Sequence, residues 1–273
     1  MNIIEIITYC IDNKKPISYS KYGDGEYLCC TIVPSLINKA YNCDKDLYTA
    51  KKRIALIQAF QYMVDNASNA YIGQWPEDPT RLIMRFWTSL VSRPILWADY
   101  HTFILEDKDF YGDSTFSLDR KINMYKAIKS SSLKKIYVCN ELLIKAKGLL
   151  NIDELVIIPL NNWFDDYFEQ ILQLIIDQVK DEERFIVMTS CGMAAKIIIA
   201  ELHKRFPRGI YLDIGSALDF ICTSKDTRGR MYTYYQIYTA FKDLIPSDWK
   251  DDKYNHIHPN AQKYLGTHIP EKK

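Results

Sequence analysis

The chain has 273 residues, of which 48% are hydrophobic and 25% are charged, and this balance excludes a wholly disordered protein. Its 35 basic and 34 acidic residues give a formal charge of +1, so no overall field draws it to nucleic acid or to an anionic membrane. The amino terminus lacks a signal-peptide pattern and no apolar run approaches the ~20 residues of a membrane span, so we expect a cytoplasmic protein.

Short apolar runs separated by helical patterns predict an α/β fold. The predicted strands are Ile17–Ser20, Ala70–Gly73, Lys135–Cys139, Glu154–Pro159, Phe185–Thr189 and Ile210–Ile214. Apolar residues at helical spacing predict helices over Asp46–Asn66 and Phe164–Val179. From residue 135 onward strands and helices alternate, which indicates a Rossmann-like, mostly parallel sheet flanked by helices.

Two stretches depart from this alternation. Trp75–Arg120 carries clustered aromatic residues and prolines at 76, 79 and 94, and it predicts a helical and aromatic insertion beside the ligand edge of the sheet. Such an insertion would recognise an acceptor. Residues 243–273 form a polar carboxyl-terminal tail. Because α/β folds often exceed the usual domain length, we expect a single domain over residues 1–273.

The sharpest local signal is Tyr22-Gly-Asp-Gly-Glu26, in which a predicted strand enters a turn with two carboxylates. Hard cations such as Mg²⁺ and Mn²⁺ bind carboxylate oxygens and keep positions for water or phosphate. Gly23 and Gly25 permit the tight backbone that such a turn needs. The alternative for this fragment alone is an ordinary polar turn, because Gly-Asp-Gly is common in loops.

This segment resembles the Phe/Tyr-Gly-Asp-Gly-Glu segment of GT-D type glycosyltransferases, whose first strand ends in an Asp-x-Glu metal motif. Further similarity follows in the family's order at Val91–Pro94, Ile158–Asp165, Thr189–Gly192 and Tyr211–Ser216. Cys191 departs from the family, in which a small residue or proline often precedes the helix. Together the matches span roughly residues 17–220.

The resemblance implies transfer of a hexose from a nucleotide diphosphate sugar, first of all a UDP-sugar, to a glycan hydroxyl with inversion at the sugar. Asp24 and Glu26 would hold Mn²⁺ or Mg²⁺ against the leaving diphosphate. A cation placed there stabilises the negative charge that develops on the phosphate. The implied partners are the nucleotide-sugar donor and a glycan acceptor, without nucleic acid.

Several residues are predicted to contact the donor. Ser190, Cys191 and Gly192 precede a helix, whose amino-terminal amides favour phosphate, and an arginine such as Arg93 binds phosphate as a fork. Asp213 ends a strand, where it would contact the sugar or cap the next helix. The full predicted set is Lys21, Tyr22, Gly23, Gly25, Arg93, Asn162, Ser190, Cys191, Gly192 and Asp213, with Arg228 and Arg230 as further candidates.

An inverting transfer also needs a general base for the acceptor hydroxyl. Asp99 and Asp165 are the chosen candidates, and His101 and Asp219 are chemically suitable as well. The sequence does not select one of them.

Three other functions compete with this one. Tyr211–Ala217 resembles the glycine-rich first motif of S-adenosylmethionine methyltransferases, but that motif follows the first strand, whereas only residues 214–273 follow Asp213. A dehydrogenase is disfavoured because no Gly-x-Gly-x-x-Gly follows a strand. A non-catalytic nucleotide-sugar-binding relative stays open, although intact Asp24 and Glu26 favour an enzyme.

The cysteines carry no predicted function. Seven of them are scattered without a CxxC pair, which indicates neither a disulfide framework nor a thiolate zinc site. Most are expected to be small core residues, including at least one of the adjacent Cys29 and Cys30.

Overall fold

A computed structural model describes residues 2–75, 78–104, 118–223 and 241–246 of the chain. Within these residues seven strands form one sheet in the order β3-β2-β1-β7-β6-β4-β5, and every neighbouring pair is parallel. The strands are β1 (Ile17–Lys21), β2 (Ala70–Gln74), β3 (Leu96–Asp99), β4 (Lys134–Asn140), β5 (Glu154–Ile158), β6 (Phe185–Ser190) and β7 (Ile210–Asp213). The predicted α/β fold with a parallel sheet is confirmed.

Helices cover both faces of the sheet. One face packs against α1 (Ile3–Asp12), α5 (Leu118–Ser130), α6 (Ala146–Leu150) and α9 (Asp219–Thr223). The other face packs against α2 (Asp24–Thr31), α3 (Ala50–Asn66), α4 (Asp78–Ser89), α7 (Phe164–Val179) and α8 (Ala194–Arg205). The central strands β6 and β7 are largely apolar on both sides, as is typical of a parallel sheet between two helical layers.

The alternation of side chains along each strand divides the core in two. In β4, Ile136 and Val138 pack toward the second helical face, whereas Tyr137 and Cys139 pack toward the first. All four side chains are fully buried. The strand therefore contributes equally to both cores.

The structure corrects the interpretation of Trp75–Arg120. This stretch contains α4 and the short edge strand β3, so the alternation of helices and strands continues through it where it is described. Ile72 of β2 pairs with Trp97 of β3. The strand was missed because it has four residues and begins with the partly exposed Leu96, which gives no clear apolar run.

The start of the predicted helix at Asp46 is wrong, because α3 begins at Ala50. Thr49 caps the helix by accepting a hydrogen bond from the backbone N–H of Lys52 at 3.1 Å. The helix α1 was also not predicted. It begins with a capping box in which Asn2 and Glu5 bond each other's backbone N–H groups.

The first residues of the predicted polar tail pack against the core. Leu244 and Ile245 are buried, and the Lys129 ammonium donates to the Leu244 carbonyl at 2.6 Å. Residues 247–273 lie outside the described residues. In the described part of the chain, no helix combines the length and apolar character needed to cross a lipid bilayer.

Candidate active site

Three strands bring the predicted motifs to one edge of the sheet. β1 lies beside β7, and β7 lies beside β6, with Tyr19 paired to Leu212 and Thr189 paired to Asp213. The carboxyl ends of all three strands therefore meet. Ligands of open α/β sheets bind at this edge, so the geometry marks it as the candidate active site.

The predicted metal motif forms the first turn of α2. The helix begins at Asp24, and the backbone N–H of Gly23 donates to Glu26 Oε2 at 2.9 Å. Asp24 is exposed and its Oδ1 accepts the N–H of Gly25 at 2.9 Å, whereas Glu26 is buried. Both carboxylates lie at the positive end of the helix dipole, which favours negative charge.

Glycine at position 23 leaves room for a neighbouring ring. A Cβ on Gly23 would lie 3.0 Å from the ring and hydroxyl atoms of Tyr100, which follows β3. Burial raises the pKa of the Tyr100 hydroxyl, and the nearby carboxylates of Glu26, Asp213 and Asp24 raise it further. The edge strand thus closes one side of the Asp24–Glu26 turn.

A lysine that sequence reasoning missed joins two of the predicted residues. The Lys196 ammonium lies 2.8 Å from Glu26 Oε1 and 3.0 Å from Asp213 Oδ2, and the three side chains are 5%, 7% and 1% exposed. Lys196 is the third residue of α8, within the run Ala-Ala-Lys-Ile-Ile-Ile-Ala. The sequence signal for this role is a single charged residue in a strongly apolar run, because a buried lysine needs a partner of opposite charge.

The protonated form of Lys196 is the stable one. Burial lowers its pKa, but Asp213 and Glu26 raise it by more, so the pKa lies above its ordinary value. The buried cluster formed by Glu26, Lys196 and Asp213 therefore carries a fixed ammonium between two carboxylates. We refer to these three residues as the buried ion cluster.

Asp213 organises the strand ends. Its Oδ2 accepts the backbone N–H of Lys21 at 3.1 Å in addition to pairing with Lys196. The Lys21 ammonium lies against Gly215, where a Cβ would come within 2.0 Å of it, and Gly215 has a φ of +55°. The positive φ favours glycine at this position, and a side chain there would displace the Lys21 ammonium. With its carboxylate this deeply buried, Asp213 supports the site from beneath.

The turn after β6 is held from two sides. Ser190 Oγ accepts from the Tyr137 hydroxyl at 2.7 Å and donates to the Gly215 carbonyl, so its side chain links β4, the end of β6 and the turn after β7. Gly192 adopts a φ of +62°, and a Cβ there would lie 3.9 Å from an Asp46 carboxylate oxygen. The turn thus keeps its backbone open at the amino end of α8.

Asn162 is connected to the Gly192 turn through the side chain of Asp46. The Asn162 side-chain oxygen accepts the N–H of Leu47 at 2.8 Å, and its backbone N–H donates to Asp46 Oδ1 at 3.2 Å. Asp46 is in turn paired with the buried Lys52 at 2.8 Å. Asn162 therefore fixes the loop that precedes α3 over the carboxyl edge.

Two predicted donor contacts lie elsewhere than the open edge. The Tyr22 ring is fully buried, with its centroid 5.0 Å from Phe60 and 4.9 Å from Trp87, so it packs in the core. Burial raises the pKa of its hydroxyl, which also senses the charges of Lys196, Glu26 and Asp213. Arg93 lies before the amino end of β3, and the amino ends of parallel strands lie at the opposite edge from Gly23. This placement separates Arg93 from the Asp24–Glu26 turn, and its contact with the donor stays a prediction. Arg228 and Arg230 lie outside the described residues.

The two base candidates lie on different parts of the carboxyl edge. Asp99 ends β3, is buried, and accepts the backbone N–H of His101 at 2.8 Å. Asp165 is exposed in the first turn of α7 and accepts from the Thr49 hydroxyl at 3.0 Å. Asp99 is next to Tyr100, which contacts the Asp24–Glu26 turn.

Cys191 and the Cys29–Cys30 pair are buried thiols. All seven cysteines lie within the described residues, and Cys43 alone among them is exposed. Burial raises the pKa of Cys29 to about 12 and also raises the pKa of Cys30 and Cys191. These thiols are protonated at neutral pH, which makes them poor nucleophiles.

Iodoacetamide is therefore expected to modify Cys43 and to leave Cys29, Cys30 and Cys191 intact in the folded protein at pH 7.5. Peptide mapping by mass spectrometry gives the extent of modification at each position. The urea-unfolded protein serves as the control in which all seven should react. Rapid labelling of Cys191 in the folded state would contradict the buried turn described above.

The carboxylate oxygens of Asp24 and Glu26 suit a divalent cation whose remaining coordination positions are filled by substrate. In the structure each Glu26 oxygen has one donor, Lys196 or Gly23, which leaves a lone pair on each oxygen. Nowhere in the described ranges do three or more His, Cys, Asp or Glu side chains come together in a way that holds a metal ion. Mg²⁺ and Mn²⁺ are often bound by one or two carboxylates plus substrate phosphates, so the donor set suits that arrangement.

Solved structures share this architecture over nearly the whole chain. One is described as the highly conserved domain of unknown function 1792, with a distinct glycosyltransferase fold; it aligns with a TM-score of 0.54 at 14% identity, over 90% of this chain and 89% of that one. A new glycosyltransferase (DUF1792) from Streptococcus sanguinis aligns with a TM-score of 0.55 at 14% identity, over 89% of this chain and 91% of that one. This chain has that glycosyltransferase fold.

The resemblance to GT-D type glycosyltransferases is thus confirmed at the level of the fold. A selenomethionine-substituted structure of the same domain class aligns with a TM-score of 0.53 at 14% identity, over 90% of this chain and 89% of that one. No family model and no curated protein matches the sequence. Activity must therefore be argued from the site itself.

Proposed function

We propose that the protein is a glycosyltransferase that moves a hexose from a nucleotide diphosphate sugar, first of all a UDP-sugar, to a glycan hydroxyl. One observation carries the proposal. The Asp24–Glu26 turn, the Gly192 turn and Asp213 meet at the carboxyl edge of a sheet that has a glycosyltransferase fold. Two carboxylates and two helix amino termini at one edge suit a cation and a diphosphate.

The donor diphosphate is proposed to lie between the amino ends of α2 and α8. Both helices begin at this edge, at Asp24 and Ala194, and their free amides favour phosphate. Gly25 has open space beside it, because the nearest atom to an added Cβ is 3.8 Å away on Asn42. Gly192 keeps its amide accessible in the same way, so backbone atoms supply most of the donor contacts.

Asp24 and Glu26 are proposed to hold Mn²⁺ or Mg²⁺, which when bound would neutralise the charge on the leaving diphosphate. Neighbouring residues of the chain hold these carboxylates in place. The N–H of Gly23 and the Lys196 ammonium both bond the anionic form of Glu26. Transfer proceeds with inversion, and Asp99 or Asp165 accepts the proton of the acceptor hydroxyl.

The alternative of a methyltransferase finds no support in the topology. The glycine-containing segment after Asp213 follows β7, which is the last strand of the described sheet in chain order. In a methyltransferase this segment follows the first strand. The position of the segment, rather than its composition, separates the two classes.

A mixture of UDP-sugar and Mn²⁺ is expected to raise the melting temperature by about 4–8 °C at a ligand concentration of about 100 times Kd. Differential scanning fluorimetry measures this shift. Asp24→Asn should lose it, and Asp177→Asn, an exposed carboxylate on α7, should keep it. Stabilisation by S-adenosylmethionine instead would overturn the proposal.

Release of UDP distinguishes an enzyme from a binding protein. A transferase is expected to hydrolyse its donor slowly in the presence of Mn²⁺, because water can replace the acceptor. A coupled assay for UDP with a panel of donor sugars measures this rate. Binding without any metal-dependent release would favour a non-catalytic nucleotide-sugar-binding relative.

A further inference from the structure

The buried ion cluster places a permanent positive charge on one of the two proposed cation ligands. Lys196 contacts Glu26 and Asp213 at 2.8 and 3.0 Å, from helix α8, and all three side chains are almost completely buried. This inference rests on the proposed function, because it concerns the cation at Asp24 and Glu26. A buried ammonium beside Glu26 affects how tightly that cation binds.

The buried ion cluster is nearly neutral without any ligand. It holds two carboxylates and one ammonium, so one net negative charge is left. A divalent ion that enters alone at Glu26 lies beside the Lys196 ammonium, and the repulsion between the two cations is poorly screened around these buried side chains. A diphosphate brings several negative charges and restores the balance.

Lys196 cannot withdraw to relieve this repulsion. Its side chain is 5% exposed, and Asp213 holds the ammonium from β7 even when Glu26 turns toward another cation. The Gly192 carbonyl accepts from the same ammonium at 3.2 Å, beneath the turn proposed to meet the diphosphate. The ammonium therefore stays beside both the cation ligand and the phosphate position.

We propose that Lys196 is a positioning residue that makes cation binding at Asp24 and Glu26 depend on the diphosphate. The cation and the donor then bind as one unit. Without nucleotide, the ammonium takes the place of a second cation at Glu26. With nucleotide bound, its negative charge allows the Lys196 ammonium and the divalent cation to lie beside Glu26 together. A protein of this kind binds free Mn²⁺ weakly although its motif has two carboxylates.

The test measures Mn²⁺ binding by electron paramagnetic resonance of the free ion, with and without saturating UDP. Values with UDP are corrected for the Mn²⁺–UDP complex measured without protein. In the wild type, UDP is expected to lower the Kd for Mn²⁺ at least tenfold. In Lys196→Met, Mn²⁺ alone is expected to bind at least tenfold more tightly than in the wild type, and the effect of UDP should shrink accordingly.

Two variants keep the result interpretable. Lys196→Arg retains the charge and should preserve the dependence on UDP. Lys135→Met removes a buried lysine at the amino end of β4, which is the opposite edge of the sheet, and should leave Mn²⁺ binding unchanged. Because Lys196→Met leaves two buried carboxylates without their ammonium, the double variant with Asp213→Asn is measured alongside it. If the single variant does not fold, the double variant decides. Its net charge equals that of the wild type, so the expected gain is smaller and comes only from removal of the ammonium beside Glu26.

The outcomes separate the two proposals. If the wild type binds Mn²⁺ neither alone nor with UDP, the cation role of the proposed function fails. If it binds Mn²⁺ equally tightly with and without UDP, the role of Lys196 is overturned and the proposed function stands. If UDP promotes Mn²⁺ binding but Lys196→Met and the double variant bind free Mn²⁺ no more tightly than the wild type, the role of Lys196 is overturned and the proposed function stands. Tighter metal-only binding in Lys196→Met and in the double variant, with no change in Lys196→Arg or Lys135→Met, supports the inference.

Discussion

Asp24→Asn is expected to lower kcat for sugar transfer by about 100-fold or more, while the free energy of unfolding stays within about 0.5 kcal/mol of the wild type. The Asp24 side chain is exposed, and its Oδ1 accepts a hydrogen bond from the backbone N–H of Gly25. Asparagine keeps that acceptor oxygen and removes only the charge. A loss of activity without a loss of stability is the signature of a ligand-binding carboxylate.

Glu26→Gln is expected to lose activity to a similar extent and also to lose about 1–3 kcal/mol of stability. Glutamine retains an acceptor for the N–H of Gly23 but gives up the buried ion pair with Lys196. Asp213 still holds the ammonium, which limits the loss. The contrast between the two variants follows from one carboxylate being exposed and the other buried.

Donor-dependent UDP release at saturating Mn²⁺ measures the activity, and urea denaturation measures the stability. The matched control is Asp177→Asn, which removes an exposed carboxylate paired with Lys180 at 3.4 Å and should change neither quantity. If Asp24→Asn retained more than half of the wild-type kcat, Asp24 would not be a cation ligand.

The sequence was most informative where function and fold depend on neighbouring residues. The turn at Asp24–Glu26 was predicted because a strand, a glycine-rich turn and two carboxylates lie within a few residues. The helix Phe164–Val179 was predicted with the observed bounds because its apolar residues recur at helical spacing. Each of these signals is local, so a single sequence contains all of it.

The pairing of strands that are distant in the chain could not be predicted from the sequence. Lys196 joins Glu26 to Asp213 because β1, β7 and β6 are adjacent in the sheet, and this order is not written in any one segment. Tyr22 follows β1 directly, yet its ring turns into the core between Phe60 and Trp87. Whether a residue beside a motif faces ligand or core depends on the helices packed behind it.

The missed edge strand had a larger consequence than its length indicates. Without β3, Arg93 seemed to belong to a loop at the ligand edge. With β3 in place, Asp99 and Tyr100 lie at the carboxyl end and Arg93 precedes the amino end. This four-residue strand thus places Arg93 away from the candidate active site and Tyr100 against Gly23.

Asp213→Asn is expected to cost about 3 kcal/mol of stability, because it breaks a buried ion pair from one side. Asparagine still offers an oxygen to the N–H of Lys21, so the change isolates the loss of charge opposite Lys196. Urea denaturation followed by circular dichroism gives the free energy of unfolding. An effect as small as that of the exposed control Asp177→Asn would show that Asp213 is not paired in the core as described.

The double variant with Lys196→Met makes this prediction sharper. If the ammonium and the carboxylate interact directly, removing both should cost less than the sum of the two single changes, with a coupling energy of about 1–3 kcal/mol. Additive losses would contradict the 3.0 Å contact between Lys196 and Asp213. Because the ammonium also contacts Glu26, a measured coupling ties the stability of the core directly to the geometry of the proposed cation site.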